Sequence, residues 1–435
     1  MASRFKAPRG TLDALPQEQP VRQRIEQVAR EMLEAAGYGR IDTPAFEDTD
    51  LFARSVGDST DIVQKQMFTF EDQGGRSLTL RPEGTASICR AYLEHGMQRL
   101  AQPVKLWSSG PFFRHERPQA GRYRQFTQID AEAIGSDSPL VDAELILLLH
   151  DMLAKLGVEG VRLRLGSLGS PDARAKYLDE LRAYQRSRSG ELSEEVRKRI
   201  EINPLRAFDA DHEGTRKVMA EAPTLLDHLD PADAEHFQAV RELLGRNGVA
   251  YDLDPTLVRG LDYYTRTVFE FECEGLGAQA GVGGGGRYDG LIEQLGGPAT
   301  PGCGWAVGVE RIALALRAED ETPRPRVFVV ADRDARERAL ALVTELRRAG
   351  LAADLDLAGR AIRRQMKQAD RIGARHALIL SAGETVTLRD MDSGEERKID
   401  PARVAEELPD VMRGRSADPR ARDSATRGTG RERPV

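Results

Sequence analysis

Residues 17–36 carry Val21, Ile25, Val28 and Met32 at the spacing of one helical face, and Gly37 follows as a stop, so the pattern predicts an amphipathic helix. YGRIDTPAFED then reads as a short strand broken at Pro44, and RSLTLRPEGT (76–85) as a strand ending in a turn. A strand pair is expected around 104–115 and 122–135, with RPQAG as the loop between them. Ser138 and Pro139 suit the N-cap and first position of a helix that runs to Leu156 and stops at Gly157. From about Ser170 to Gly248 the pattern turns helical. Ser170-Pro171, Ser193 and Asp230-Pro231 read as helix starts, and Phe237, Val240, Leu243 and Leu244 share one face. Strand character returns at TRTVFEFEC (265–273), followed by the glycine run GVGGGGRYDG and a short helix at LIEQL.

DETPRPR (320–326) is charged, rich in proline and poor in large apolar residues, as a linker should be. Beyond it VFVVA, AADLDL and HALIL are strand candidates separated by helical stretches 334–349 and 360–372, the alternation of a small α/β domain. Residues 413–435 hold almost nothing to bury and are expected to be a disordered tail. The predicted organisation is thus a first domain over 1–325 interrupted by a helical insertion at 170–250, then a domain over 326–412. No internal repeat is found.

Composition narrows the classes. A chain of 435 residues, 40% hydrophobic and 31% charged, is that of a globular protein, and no apolar run is long enough to cross a bilayer. The N-terminal stretch lacks the apolar core of a secretory signal, and the three cysteines, Cys89, Cys273 and Cys303, are far apart, so a reducing, cytoplasmic setting is expected. A net charge of −7 argues against general coating of nucleic acid but leaves room for local basic patches.

One such patch is FFRHERPQAGRYRQF (112–126). Arginine presents a planar fork that matches phosphate or carboxylate oxygens, so Arg114, Arg117, Arg122 and Arg124 on one hairpin could clamp a polyphosphate, with Phe126 as a stacking face. The alternative is a solvated arginine face with surface ion pairs. Gly281, Gly283 and Gly286 match G-x-G-x-x-G only formally, since the run lies late and follows an antiparallel-type strand. It reads either as a flexible turn or as backbone that approaches a ligand closely. In LVRGLDYYTRTVFEF (257–271), Arg259 before paired tyrosines could hold an anion beside hydroxyls, or the tyrosines could simply pack in the core. Arg311, early in the helical run of GCGWAVGVERIALAL (302–316), could hold a further phosphate if it faces the same cleft. The histidines and cysteines show neither H-E-x-x-H nor C-x-x-C spacing, so no metal site built from protein side chains is proposed. No G-x-S-x-G elbow occurs either.

Taken in order, these stretches resemble the histidyl-tRNA synthetases, class II aminoacyl-tRNA synthetases, over about residues 5–410. The helix with Pro44, FRHERPQAGRYRQF and GWAVGVERIAL are similar to the three class motifs, while LVRGLDYYTRTVFE and GGGGRYDGL match stretches specific to the histidine enzymes. The resemblance implies an α+β catalytic domain, an antiparallel sheet flanked by helices, with a helical insertion and a C-terminal α/β anticodon-binding domain. It implies ATP as substrate, with magnesium, and activation of L-histidine to histidyl-adenylate before transfer to the 3′-terminal ribose of tRNA(His).

By the same carry-over, Arg114 and Arg259 are the catalytic pair. Arg114, Glu116, Arg122, Phe126 and Arg311 would bind ATP. Histidine would be held by Glu83, Gly84, Thr85, Gln128, Glu132, Tyr263, Tyr264 and Tyr288, together with Arg114 and Arg259. Glu83, Thr85 and Gln128 would take its ammonium, Glu132 and Tyr264 its imidazole. Gln119 would approach the tRNA acceptor end, and Arg363, Arg364 and Lys367, within a basic stretch at 359–376, would meet the tRNA elsewhere. The family is dimeric, which makes residues 20–50 the expected contact. QIDAEAIG (128–135) departs from the commonest bacterial wording around the pocket but keeps Gln128 and Glu132.

Three rivals remain. A regulatory subunit of ATP phosphoribosyltransferase would share the catalytic fold but is expected to lose the ATP arginines and the anticodon domain. A class II synthetase for another amino acid should lack RGLDYYT. A dinucleotide-binding oxidoreductase would have to use Gly281–Gly286.

Overall fold

The structure is a computed structural model that describes residues 5–56, 62–276, 280–316, 327–381 and 385–400, together with 403, 404 and 408. The linker at 320–326 and the tail at 413–435 both lie wholly outside the described residues. The chain divides into two compact units, Met1–Glu321 and Thr322–Val435.

The first unit is built on eight strands: β1 (Gly39–Arg40), β2 (Val104–Phe113), β3 (Gln125–Ile134), β4 (Val161–Ser167), β5 (Asp252–Leu253), β6 (Thr265–Cys273), β7 (Gly281–Arg287) and β8 (Gly302–Gly308). Their spatial order is β1-β2-β3-β8-β7-β6-β4-β5. The six central strands pair antiparallel, and the two-residue edge strands β1 and β5 pair parallel to their neighbours. The helices that matter here are α1 (Gln19–Ala35), α2 (Thr85–Glu94), α3 (Pro139–Leu156), α4 (Pro231–Arg246) and α5 (Val309–Ala315).

Alternation along the strands sorts the two faces of the sheet. On β3, Ile129, Ala131 and Ala133 join Trp107, Trp305, Phe269 and Phe271 in a core closed by Ile25, Ala29 and Leu33 of α1, Leu145 and Leu149 of α3, and Val240 and Leu244 of α4. The alternate residues Gln128, Asp130 and Glu132 therefore point to the other face, where α2 packs through Ile88, Cys89 and Tyr92. As the N-cap of α3, Ser138 accepts from the Leu140 N–H, and Gly157 ends that helix with φ 84°.

Two sequence expectations are corrected here. The segment around Pro44 is not one broken strand: Gly39–Arg40 lies on the main sheet, whereas Phe46–Asp48 pairs with Ser77–Leu80 in a separate three-stranded sheet completed by Phe68–Glu71. The glycine run is neither a turn nor a loop but strand β7, in antiparallel register with both β6 and β8. Glycine is required there because the neighbours approach closely. A Cβ on Gly285 would lie 1.9 Å from the Gly304 carbonyl oxygen, a backbone atom that cannot step aside. Gly285→Ala is therefore expected to destabilise the unit by about 3 kcal/mol or more, the upper end of overpacking costs, read as a lower thermal midpoint. This geometry also removes the dinucleotide reading, which needs the glycines in a strand-to-helix turn.

Between β4 and β5 the chain is helical. Ser170 and Ser193 cap Pro171–Ser187 and Glu194–Arg199 as their sequence suggests, and Tyr177, Leu181, Val196, Val218 and Met219 pack together. The last helix of this segment, α4, belongs instead to the main core beside α3. Arg287, with Asp142 fully buried against it, ties β7 to the start of α3 and also donates to the Ser136 carbonyl at 2.9 Å.

The second unit has strands β9 (Val327–Ala331), β10 (Ala353–Leu355), β11 (His376–Leu380), β12 (Val386–Asp390) and β13 (Glu396–Ile399), ordered β10-β9-β11-β12-β13. The first three are parallel, with helices α6 (Arg336–Arg348) and α7 (Ile362–Arg371) as the crossovers; β12 and β13 extend the sheet antiparallel.

Candidate active site

The β2–β3 hairpin, the segment before β6, the start of β7 and the start of α5 converge on a cavity of about 190 Å³. It is lined by Arg114, Glu116, Arg122, Phe126, Gln128, Arg259, Glu270 and Arg311, among others. Arg114 donates from Nε to the Pro82 carbonyl at 2.8 Å, and its guanidinium stands 5.3 Å from the Phe126 ring centre. Glu116 lies 3.9 Å from Arg114 and 3.6 Å from Arg122. Arg311 donates to the Gly281 carbonyl at 2.9 and 2.7 Å, and its pKa is lowered by burial first and by the nearby Arg122 second. Arg259 stands 3.3 Å from Glu270. Burial opposes its charge, yet Glu270 and the two adjacent tyrosines outweigh that, and its pKa is raised. Arg114, Arg122, Arg259 and Arg311 face Glu116, Glu270 and Glu310 there, so arginines outnumber carboxylates by one and the excess charge is one that an anion would balance.

Of the four hairpin arginines, two line this cavity and two do not. Arg117 is exposed, and Arg124 turns to the Glu116 carbonyl at 3.3 Å while its N–H donates to the Gly10 carbonyl. Gln119 is exposed at the hairpin tip, exchanging backbone hydrogen bonds with Arg122.

Next to this cavity is a polar pocket that is almost entirely buried. Glu83 accepts from the N–H groups of Thr85 (2.8 Å) and Ala86 (2.9 Å), the first turn of α2, and from the Tyr263 hydroxyl at 3.4 Å. Thr85 Oγ1 donates to Glu132 at 2.7 Å and the Tyr288 hydroxyl donates to its other oxygen at 2.6 Å. Gly304 leaves room for that carboxyl: a Cβ there would lie 1.7 Å from Glu132 Oε2. Tyr263 stacks tilted on Tyr264 at 4.7 Å and edge-on to Tyr288 at 5.9 Å. The structure thus brings Gly84, Thr85, Glu83, Gln128, Glu132, Tyr263, Tyr264 and Tyr288 into one neighbourhood at the cavity's side.

Sequence reasoning missed Asp130. It is fully buried between Gln128 and Glu132 on the same face of β3, accepts from Gln128 Nε2, and bonds Ser108 Oγ at 3.1 Å. The signal was present: Gln-x-Asp-x-Glu in a strand puts all three side chains on one face. Burial raises the pKa of Glu83 and Glu132, the latter well above the ordinary range, and pushes Asp130 up to about 7. A carboxyl that holds its proton more tightly folded than unfolded supports the fold most at low pH. Asp130's contribution is therefore lost as pH rises from its unperturbed 3.8 to about 7. Asp130→Asn is expected to flatten the fall of the thermal midpoint across that interval, measured by melts of the ligand-free protein from pH 4.5 to 8.

On the second unit, Arg363, Arg364 and Lys367 are exposed along α7, while Gln365 and Ala369 of the opposite face are buried. Gln365 holds the helix by accepting from the Ala331 N–H and donating to its carbonyl, at 2.9 and 2.8 Å. Arg360 does not extend that basic face, since it pairs with Asp356. Among the described residues no group of three or more His, Cys, Asp or Glu side chains could hold a metal ion, and no helix is long and apolar enough to cross a membrane.

Comparison with known proteins follows the same division. The family profile described as histidyl-tRNA synthetase matches residues 10–312, and the one described as anticodon binding domain matches residues 326–410. A histidine–tRNA ligase of Corynebacterium jeikeium is 46% identical over 428 residues, covering 96% of each chain. One of Rubrobacter xylanophilus is 48% identical over 409 residues, 91% of this chain and 96% of the relative. The solved apo histidyl-tRNA synthetase of S. aureus superposes with a TM-score of 0.78 at 36% identity, covering 93% of this chain and 99% of that one.

Proposed function

The chain belongs to the histidyl-tRNA synthetase family, and from that membership we propose which of its residues carry each step. It is a histidine–tRNA ligase, which activates L-histidine with ATP and passes the histidyl group to tRNA(His). The observation that carries the residue-level reading is a single face of β3, where Gln128 lines the arginine cavity and Glu132 anchors the buried pocket beside it.

In this reading Phe126 stacks on adenine, Arg122 and Glu116 hold the rest of the nucleotide's near end, and Arg311 takes the terminal phosphate. Glu83, Thr85 and Gln128 accept the ammonium of histidine, with Gly84 leaving the space. Glu132 and Tyr264 satisfy the two imidazole nitrogens, with Tyr263 and Tyr288 closing the walls. Arg114 and Arg259 meet where the histidine carboxylate faces the α-phosphate. A carboxylate oxygen attacks phosphorus in line and pyrophosphate leaves. The ribose hydroxyl of the tRNA terminus then attacks the acyl carbon, losing its proton, and AMP leaves. No protein nucleophile is needed, because positioning and fixed positive charge lower both barriers.

The donor set fits magnesium only as an ion carried mainly by the phosphates. Glu116, Glu270 and Glu310 face the cavity, but each already meets an arginine, so they would complete a shell of phosphate oxygens and water, not build one. When bound, the ion would neutralise phosphate charge.

Gln119 would approach the acceptor end, and Arg363, Arg364 and Lys367 would contact tRNA from the second unit, the anticodon-binding domain in this reading. Dimer formation through residues 20–50 is supported by Phe46, which is 49% exposed and meets the 43%-exposed Phe70 edge-on. A cytoplasmic setting goes with this activity.

The test is amino-acid-dependent ATP–pyrophosphate exchange without tRNA. Exchange with histidine alone among the amino acids is expected. Histidine binding without exchange would instead favour the sensing role of the phosphoribosyltransferase regulatory subunits.

A further inference from the structure

Asp130 is a buried carboxyl with no ion-pair partner among the described residues, in a pocket where every other carboxyl has an assigned use. Arg81 acts on Asp130 through its charge but makes its hydrogen bonds elsewhere, donating to the Pro111 carbonyl at 2.9 Å and to Thr43 at 3.0 and 2.9 Å. Asp130 is held instead by Ser108 and by the amide of Gln128. It is also wedged in place, since a Cβ on Gly84 would come within 2.6 Å of its Oδ2. Gln128 therefore has one end fixed by a rigid carboxyl and the other at the arginine cavity.

An amide side chain offers a donor at one end and an acceptor at the other, and a carboxylate can only accept. We propose that Asp130 is a positioning residue for the amino-acid substrate: by holding the Gln128 NH2 group inward, it turns the Gln128 carbonyl oxygen toward the cleft as an acceptor for the substrate ammonium. This rests on the assignment of Gln128 to that ammonium. Without the carboxylate, Gln128 can turn over and present NH2 to a cationic group, which converts an attraction into a repulsion. The groups facing Asp130 are Ser108 on β2, Gln128 and Glu132 on β3, and Arg81 and Glu83 on the segment leading to α2. Of the acids among them, burial raises the pKa of Asp130 to about 7, so its carboxylate form is within reach at neutral pH and is favoured further by an arriving ammonium.

The test uses two competitors of histidine in the exchange assay: histidinol, which keeps the ammonium and lacks the carboxylate, and imidazolepropionate, which keeps the carboxylate and lacks the ammonium. Asp130→Asn is expected to weaken histidinol by about tenfold or more, the loss of one charge-assisted acceptor, and to leave imidazolepropionate and the KM for ATP unchanged. In a Gln128→Ala background the same substitution should add nothing, because its effect passes through Gln128. Ser108→Ala, which only loosens the carboxylate, should give a smaller change of the same sign and serves if Asp130→Asn does not fold. Equal weakening of both competitors, or a full effect that persists in Gln128→Ala, would overturn the proposal. So would an unchanged histidinol affinity in an active wild-type background. Absence of histidine-dependent exchange in the wild type would instead sink the functional reading beneath it.

Discussion

Arg259→Ala is expected to lower kcat for histidine-dependent exchange by about 10²- to 10³-fold, the usual loss when one preorganised donor to developing charge is removed. The side chain is held for that task from three sides. Glu270 meets it at 3.3 Å, the Tyr263–Tyr264 pair adjoins it, and Gly284 of β7 lets it lie close, a Cβ there falling 3.0 Å from its Nη1. Its raised pKa means the charge is present at every working pH. Lysine at 259 keeps the charge but not the fork, so Arg259→Lys should recover only part of the rate. The truncation also leaves Glu270 without its partner at the cavity wall, which adds repulsion toward ATP and should raise its KM as well. Rapid-quench exchange with both variants measures this, and a kcat for Arg259→Ala within threefold of wild type would remove Arg259 from the reacting centre.

The fold was legible wherever a local signal decided it. Ser138-Pro139 with Gly157, and Ser170 and Ser193 before their helices, are chemical punctuation that tertiary contacts had no reason to override. The run at 281–287 was not legible, because glycine propensity points to a turn while the structure needs glycine for closely packed strands. Pro44 signalled an interruption, but nothing local says that the chain changes sheets across it.

The site was legible as a set of residue types and much less as geometry. Arg114 and Arg122 reach the cavity while Arg117 and Arg124 do not, a distinction fixed by how the hairpin loop turns. Asp130 went unread because a carboxyl between two assigned polar residues looks like ordinary strand polarity until both faces of the sheet are seen to be covered.

Glu132→Gln is the change expected to damage histidine recognition most, with kcat/KM for histidine falling about 10³-fold or more and little change in KM for ATP. Both Glu132 oxygens already accept, from Thr85 at 2.7 Å and Tyr288 at 2.6 Å. The amide substitutes a donor for one of those acceptors, so one hydroxyl must turn away and the imidazole loses its carboxyl partner in a dry pocket, where an unmet polar group is costly. Burial raises the Glu132 pKa, while the hydroxyls of Tyr288 and Thr85 oppose that rise by hydrogen-bonding its carboxylate form. Histidine-dependent exchange by Glu132→Gln against wild type measures the loss, and a kcat/KM for histidine within about tenfold of wild type would remove Glu132 from imidazole recognition.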